Sequence, residues 1–160
     1  MGGRLAFALL IGLQPFLLGP VGHAATTYTG KVISIADGDT LRILYRDGQL
    51  KIRLAEIDTP ERKQPWGTRA RQVLSDKVFG RVVDVVEIDR DRYGRIVGRI
   101  YRDGKDINRE MVAEGHAWVY LKYMRDEKLL ADEAAAKDAG LGLWSLPQSQ
   151  RAPPWEWRRK

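Results

Sequence analysis

The chain has 160 residues, a formal net charge of +6 and 44% hydrophobic residues, so it can bury the core of one ordinary domain and leaves little room for a second. It has no cysteine, which excludes disulfide stapling and thiol catalysis. The excess of lysine and arginine favours a polyanionic partner such as nucleic acid, anionic lipid or a phosphorylated polymer.

The opening MGGRLAFALLIGLQPFLLGPVGHAA sets Arg4 before an apolar run from Leu5 to Val21, with small residues at Gly22, Ala24 and Ala25. This pattern reads as a cleavable signal peptide over residues 1–24. Gln14, Pro15 and Gly19 interrupt the run, which argues against a membrane anchor. The expectation is a protein that works outside the cytoplasm, secreted or periplasmic, with no stable membrane association. Residues 25–146 then form one domain, and residues 147–160 a basic tail rich in proline and tryptophan.

Val32, Ile33 and Ile35 with Thr29 predict a first strand from Tyr28 to Ala36, ended by Asp37-Gly38. Thr40 to Tyr45 alternates in a second strand, Asp47-Gly48 closes a tight hairpin, and Leu50 to Leu54 returns with Ile52 and Leu54 opposite Lys51 and Arg53. Asp58-Thr59-Pro60 should leave the strand, because Pro60 lacks an N–H and biases Thr59 toward extended geometry.

Ala70, Val73, Leu74, Lys77 and Val78 recur at helical spacing over Thr68 to Phe79, stopped by Gly80. Val82 to Ile88 and Ile96 to Tyr101 are β-branched strands joined by the basic turn DRDRYGR. Asp106 suits the N-cap of a helix that carries Ile107, Met111 and Val112 inward and stops at Gly115. Arg125 to Ala139 predicts a further helix with Leu129, Leu130, Ala134 and Ala135 on one side. Five short strands with one helix before the fourth and two after the fifth give an α+β fold, an OB-type β-barrel with three helices.

Two acidic turns, Asp37-Gly38-Asp39-Thr40 and Asp58-Thr59-Pro60-Glu61, flank the hairpin and so come to the same end of it. Two carboxylates, a backbone carbonyl and waters would hold a hard cation, more readily Ca²⁺ than a soft metal. Arg53 and Arg95, the latter turned inward after Tyr93-Gly94, offer two guanidinium forks of the kind a pentacoordinate phosphorus requires. Glu61 is placed to position or deprotonate a water. Beyond the signal peptide the only histidine is His116, read as structural, so chemistry that needs a histidine pair is excluded.

The segments IADGDT, RLAEIDTPE, DRYGR, GHAWVY and LGLWS, in that order from about Thr27 to Trp144, resemble the staphylococcal nuclease (thermonuclease) family. The resemblance implies a five-stranded OB barrel with three helices and Ca²⁺-dependent cleavage of DNA and RNA, with little sequence preference, to products ending in 3′-phosphate. It implies Asp39 and Asp58 as calcium carboxylates with the Thr59 carbonyl beside them, Arg53 and Arg95 as phosphate-binding arginines, and Glu61 as general base. Tyr93 matches a tyrosine of the nucleotide pocket, and Tyr120 and Tyr123 are both candidates for nucleotide contact. The segment after Glu61, RKQPWGTRAR, is shorter than the mobile loop of the best-known member. The family and size imply a monomer. A non-catalytic OB module that only binds nucleic acid, and a protein that merely touches anionic polymers through its charge, are the alternatives. Neither accounts for an intact set of acids, arginines and glutamate.

Overall fold

The computed structural model describes residues 25–159. The reading of residues 1–24 as a signal peptide lies outside the described residues. Strands β1 (Thr27–Asp37), β2 (Thr40–Tyr45) and β3 (Gly48–Leu54) follow one another, then the two-residue β4 (Ile57–Asp58) and helix α1 (Gly67–Val78). Next come β5 (Val82–Arg90), β6 (Ile96–Arg102), β7 (Lys105–Asp106) and α2 (Ile107–Ala113). The chain ends through β8 (Trp118–Val119), α3 (Lys128–Asp138), 3₁₀ turns and the one-turn helix α4 (Pro154–Trp157). Among the described residues no helix is long and apolar enough to cross a membrane.

The barrel closes because β1 serves two neighbours and β3 finds a second one. The first half of β1 pairs with β5 and its second half with β2, with register breaks after Val32 and Ile35 that bend the strand between them. β3 pairs antiparallel with β2 and parallel with β6, Ile52 opposite Ile96 and Leu54 opposite Gly98, which completes a five-stranded ring. Leu41, Ile43, Ile52, Leu54, Val85, Ile96 and Ile100 fill it, and Leu74, Val78, Met111 and Leu129 from the helices continue the same core. Burying each such side chain contributes about 1.5–3 kcal/mol.

The expected barrel with three helices is therefore the observed one, with four local differences. The hairpin turns on Arg46 and Asp47, with Arg46 at φ 51°, and Gly48 already belongs to β3. The chain turns at Ala55-Glu56 rather than at Asp58, because Glu56 adopts φ 65° and Asp58 pairs with Trp118 across the short β4–β8 ladder. α3 begins at Lys128, and Leu129 and Ala136 are its buried residues, whereas Leu130, Ala134 and Ala135 are exposed. The tail adds a fourth, short helix.

Two buried polar residues tie the helices to the barrel. Glu56 accepts from the Arg125 and Asp126 backbone N–H groups at 2.6 and 2.8 Å and from Arg99 Nε at 2.8 Å, so one carboxylate caps the approach to α3 and pairs with β6. Asn108, fully buried on α2, accepts from the Ile100 N–H at 3.1 Å and donates to the carbonyls of Ala55 and Gly98 at 3.0 and 3.2 Å. Asn108→Ala strands the Ile100 N–H and the Ala55 carbonyl, while the Gly98 carbonyl keeps the Ala55 N–H, and chemical denaturation should show a loss of about 2–4 kcal/mol with no change of fold.

His116 is structural, as expected: its Nδ1 accepts from Trp66 Nε1 at 3.0 Å. Burial holds the imidazole below its ordinary pKa of 6.5, with Lys77 and Arg69 acting in the same direction and Glu114 against it. The unfolded chain therefore takes up this proton first, so the contribution is complete above the ordinary value and is lost as pH falls below it. Between about pH 7 and pH 5.5 the urea midpoint of the wild type should fall further than that of His116→Gln.

Candidate active site

β1 and β2 are joined by the first acidic turn, and the second acidic segment follows directly from β4. A Cβ on Gly38 would stand 2.8 Å from Thr59 Oγ1 and 2.9 Å from Ala70 Cβ, so glycine is what lets the first segment press on the second. The Thr59 N–H donates to Asp39 Oδ2 at 2.9 Å, and the Leu54 N–H donates to the Asp39 carbonyl at 2.8 Å. The Asp39 side chain thus joins the second segment through the Thr59 backbone, while the Asp39 backbone is tied to the end of β3.

Arg53 then bridges them. Its Nη1 lies 2.9 Å from Asp39 Oδ2 and its Nη2 3.0 Å from Asp58 Oδ1, while Nη1 also donates to the carbonyls of Leu54 and Ile57 at 3.0 Å. Strand alternation puts Ile52 and Leu54 into the core and leaves Arg53 facing the acids. The Asp58 side chain is only 1% exposed. Burial pushes its carboxyl above the usual range, against the pull of Arg158 and Arg53. Burial, and then the Asp39 carboxylate, push Asp37 up to about 7. Carboxylates this crowded and dry are a feature of functional sites.

Glu61 is held by a closed turn. Its N–H donates to Gln64 Oε1 at 3.0 Å, the Gln64 N–H returns to the Glu61 carbonyl at 2.8 Å, and a Cβ on Gly67 would collide with that same carbonyl. The segment after Glu61 is thus compact up to the start of α1. Arg95 stands on the opposite wall, in the β5–β6 turn, where Asp91 accepts from the Tyr93 and Arg95 N–H groups at 2.9 and 3.0 Å and from Arg95 Nε at 2.6 Å. Asp91 fixes the position of Arg95 while its terminal nitrogens face the Tyr93 ring, 5.6 Å from guanidinium carbon to centroid.

All nine residues singled out in the sequence line one cleft of about 970 Å³: Asp39, Arg53, Asp58, Thr59, Glu61, Tyr93, Arg95, Tyr120 and Tyr123. Sequence reasoning missed two more of its walls. Asp37 was seen only as part of a turn, and Arg158 only as one charge of a basic tail. Arg158 Nη2 lies 2.7 Å from Asp58 Oδ2, and its Nη1 2.6 Å from Glu61 Oε1. No local pattern signals that contact, because the partners are 100 residues apart.

The tyrosines differ. Tyr93 and Tyr123 are 69% and 55% exposed, whereas the Tyr120 ring is stacked on Trp155 at 5.3 Å and 4°. Tyr123 meets Tyr120 edge-on at 5.0 Å. Tyr120→Ala removes both ring pairs and should lower stability by about 1–3 kcal/mol in thermal or chemical denaturation; Tyr123→Ala should cost about 1 kcal/mol or less.

A hard cation fits the donor set: two nearly buried carboxylates share one guanidinium fork, and the Thr59 backbone follows Asp58 directly. Among the described residues no group of three or more histidine, cysteine, aspartate or glutamate side chains stands ready to hold a metal, so a carbonyl and waters would have to complete the shell.

The family described as "Staphylococcal nuclease homologue" matches residues 51–146. A "Micrococcal nuclease" of Shigella flexneri is 41% identical over 143 residues, which cover 82% of this chain and 81% of that protein. An "Uncharacterized endonuclease" of Escherichia coli is 39% identical over 132 residues, 82% of this chain and 85% of that protein, and one of Haemophilus influenzae is 38% identical over 133 residues, 82% and 74%. With the OB barrel and the cleft at the ends of its acidic turns, these matches establish that the chain belongs to the staphylococcal nuclease family and is an enzyme of the nuclease type.

Proposed function

We propose that the protein is a Ca²⁺-dependent endonuclease that hydrolyses the phosphodiester bonds of DNA and RNA with little sequence specificity, leaving 3′-phosphate ends. The observation that carries this reading is the Arg53 bridge between Asp39 and Asp58, beside Glu61 in a cleft that Arg95 also lines. Asp39, Asp58 and the Thr59 carbonyl would hold the cation. When bound, calcium supplies positive charge that draws electrons from a phosphoryl oxygen.

Glu61 accepts the proton of a water as that water attacks phosphorus, and the bond to the 5′-oxygen breaks on the far side. The 5′-oxygen leaves and takes a proton from solvent, so the phosphate remains on the 3′ side. Arg53 and Arg95 donate to the non-bridging oxygens, on which charge gathers as the fifth bond forms. Exposed Tyr93 and Tyr123 offer ring faces to the bases, which suits binding without sequence preference. Arg4 and the apolar run that follows it support work outside the cytoplasm, and the family and the size of the chain support a monomer.

Cleavage of plasmid and single-stranded DNA should require millimolar calcium and stop with chelator. Glu61→Gln should lower kcat about 10²- to 10⁴-fold and Arg95→Ala about 10²- to 10³-fold, with far-ultraviolet circular dichroism unchanged. Salt-sensitive binding without any cutting, indifferent to calcium and to Glu61→Gln, would instead favour the non-catalytic binding module.

A further inference from the structure

The tail brings Arg158 into the cleft, and its placement is specified at three points. Gln64 Nε2 donates to the Ala152 carbonyl at 2.5 Å, so the turn that holds Glu61 also holds the start of the tail. Pro154 is buried at the start of α4, and Trp155 lies flat on Tyr120 while meeting Trp118 edge-on at 6.0 Å and 76°. Arg158 follows Trp155 by three residues, on the same side of that single turn, and its N–H returns to the Pro154 carbonyl at 3.0 Å. The rigid aromatic anchor therefore aims the guanidinium at Asp58 and Glu61.

Both oxygens of Asp58 are taken by arginine, Oδ1 by Arg53 at 3.0 Å and Oδ2 by Arg158 at 2.7 Å. A divalent cation that approaches Asp58 meets a guanidinium on each oxygen, and its charge opposes both. Arg53 is 15% exposed and is held by two carboxylates and two carbonyls within the barrel wall. Arg158 is 42% exposed and follows a single helical turn. The weaker hold is that of Arg158.

We propose that Arg158 is an intramolecular competitor of the divalent cation, pairing with Asp58 and Glu61 until the cation takes Asp58 and releases the tail. This rests on the reading of Asp39 and Asp58 as the calcium carboxylates. The tail then sets the apparent calcium affinity, and by linkage calcium weakens tail docking by the same factor. The released guanidinium no longer occupies the Glu61 carboxylate, which becomes free to accept a proton. Beyond buried Pro154 and the Trp155 ring contacts, Arg158 is held by its ion pairs with Asp58 and Glu61, a local contact suited to such an exchange.

The test is calcium binding by calorimetry to the full chain, without substrate, for wild type, Arg158→Gln and Trp155→Ala, with Asp39→Asn as a control for the site. Both tail variants should bind calcium about 5- to 50-fold more tightly than wild type, and Asp39→Asn should abolish the binding. Hydrogen exchange of the α4 amides in wild type should accelerate when calcium is added. Equal affinities in wild type and both tail variants would overturn the competition while leaving the calcium reading intact, and weaker binding in Arg158→Gln would do the same by making Arg158 a support of the site. Absence of calcium binding in every protein would remove the calcium reading and the competition with it.

Discussion

The guanidinium of Arg53 is the interaction on which the site depends. It satisfies two nearly buried carboxylates and two carbonyls at once, so removing it would leave two negative charges in a place that water barely reaches. A lysine could not do the same work, since one ammonium lacks the planar fork that spans Asp39 and Asp58. The barrel supplies what the arginine needs. β2 and β3 fix the two ends of the hairpin, the β3–β6 pairing fixes β3 in the ring, and Gly38 allows the acidic segments to touch.

Charge in the cleft is arranged unevenly, and that unevenness is what makes it chemical. Asp37, Asp39 and Asp58 crowd together, and the dry environment pushes Asp37 up to about 7 and Asp58 above its usual range. Glu61 stands at the rim, 38% exposed and backed by a turn that has no freedom to wander. Arg95 is kept on the far wall by Asp91. Three aspartates, the Glu61 carboxylate and the Arg95 guanidinium thus line one cleft of about 970 Å³.

Stability and the cleft share a wall. Glu56 lies between Arg53 and Asp58 in sequence and lines the same cleft, yet its carboxylate is taken by Arg99 and by the Arg125 and Asp126 N–H groups and so fastens α3 and β6. Its φ of 65° reverses the chain so that Asp58 can enter the β4–β8 ladder. Two carboxylates two residues apart thus have different partners, one tied to α3 and β6 and one to Arg53 and Arg158. Asn108 performs the corresponding task beneath the barrel, satisfying Ala55 and Gly98 where β3 and β6 meet.

Alternation in β2 and β3, the glycine-marked acidic turn, the helical spacing of Ala70, Val73, Leu74 and Val78, and the Asp106 cap are local regularities, so the sequence by itself determined the barrel and three helices, and its motifs named nine of the residues that line the cleft. The buried face of α3 was misread because alanines fit either side of a helix, and only the packing of Leu129 and Ala136 chooses. The role of Glu56, the tie of Gln64 to Ala152, the covering of Tyr120 and the approach of Arg158 were decided by tertiary structure alone. Each joins residues far apart in the chain, and the energy that selects such a pair arises only after closure of the ring removes water and brings the partners within hydrogen-bond reach.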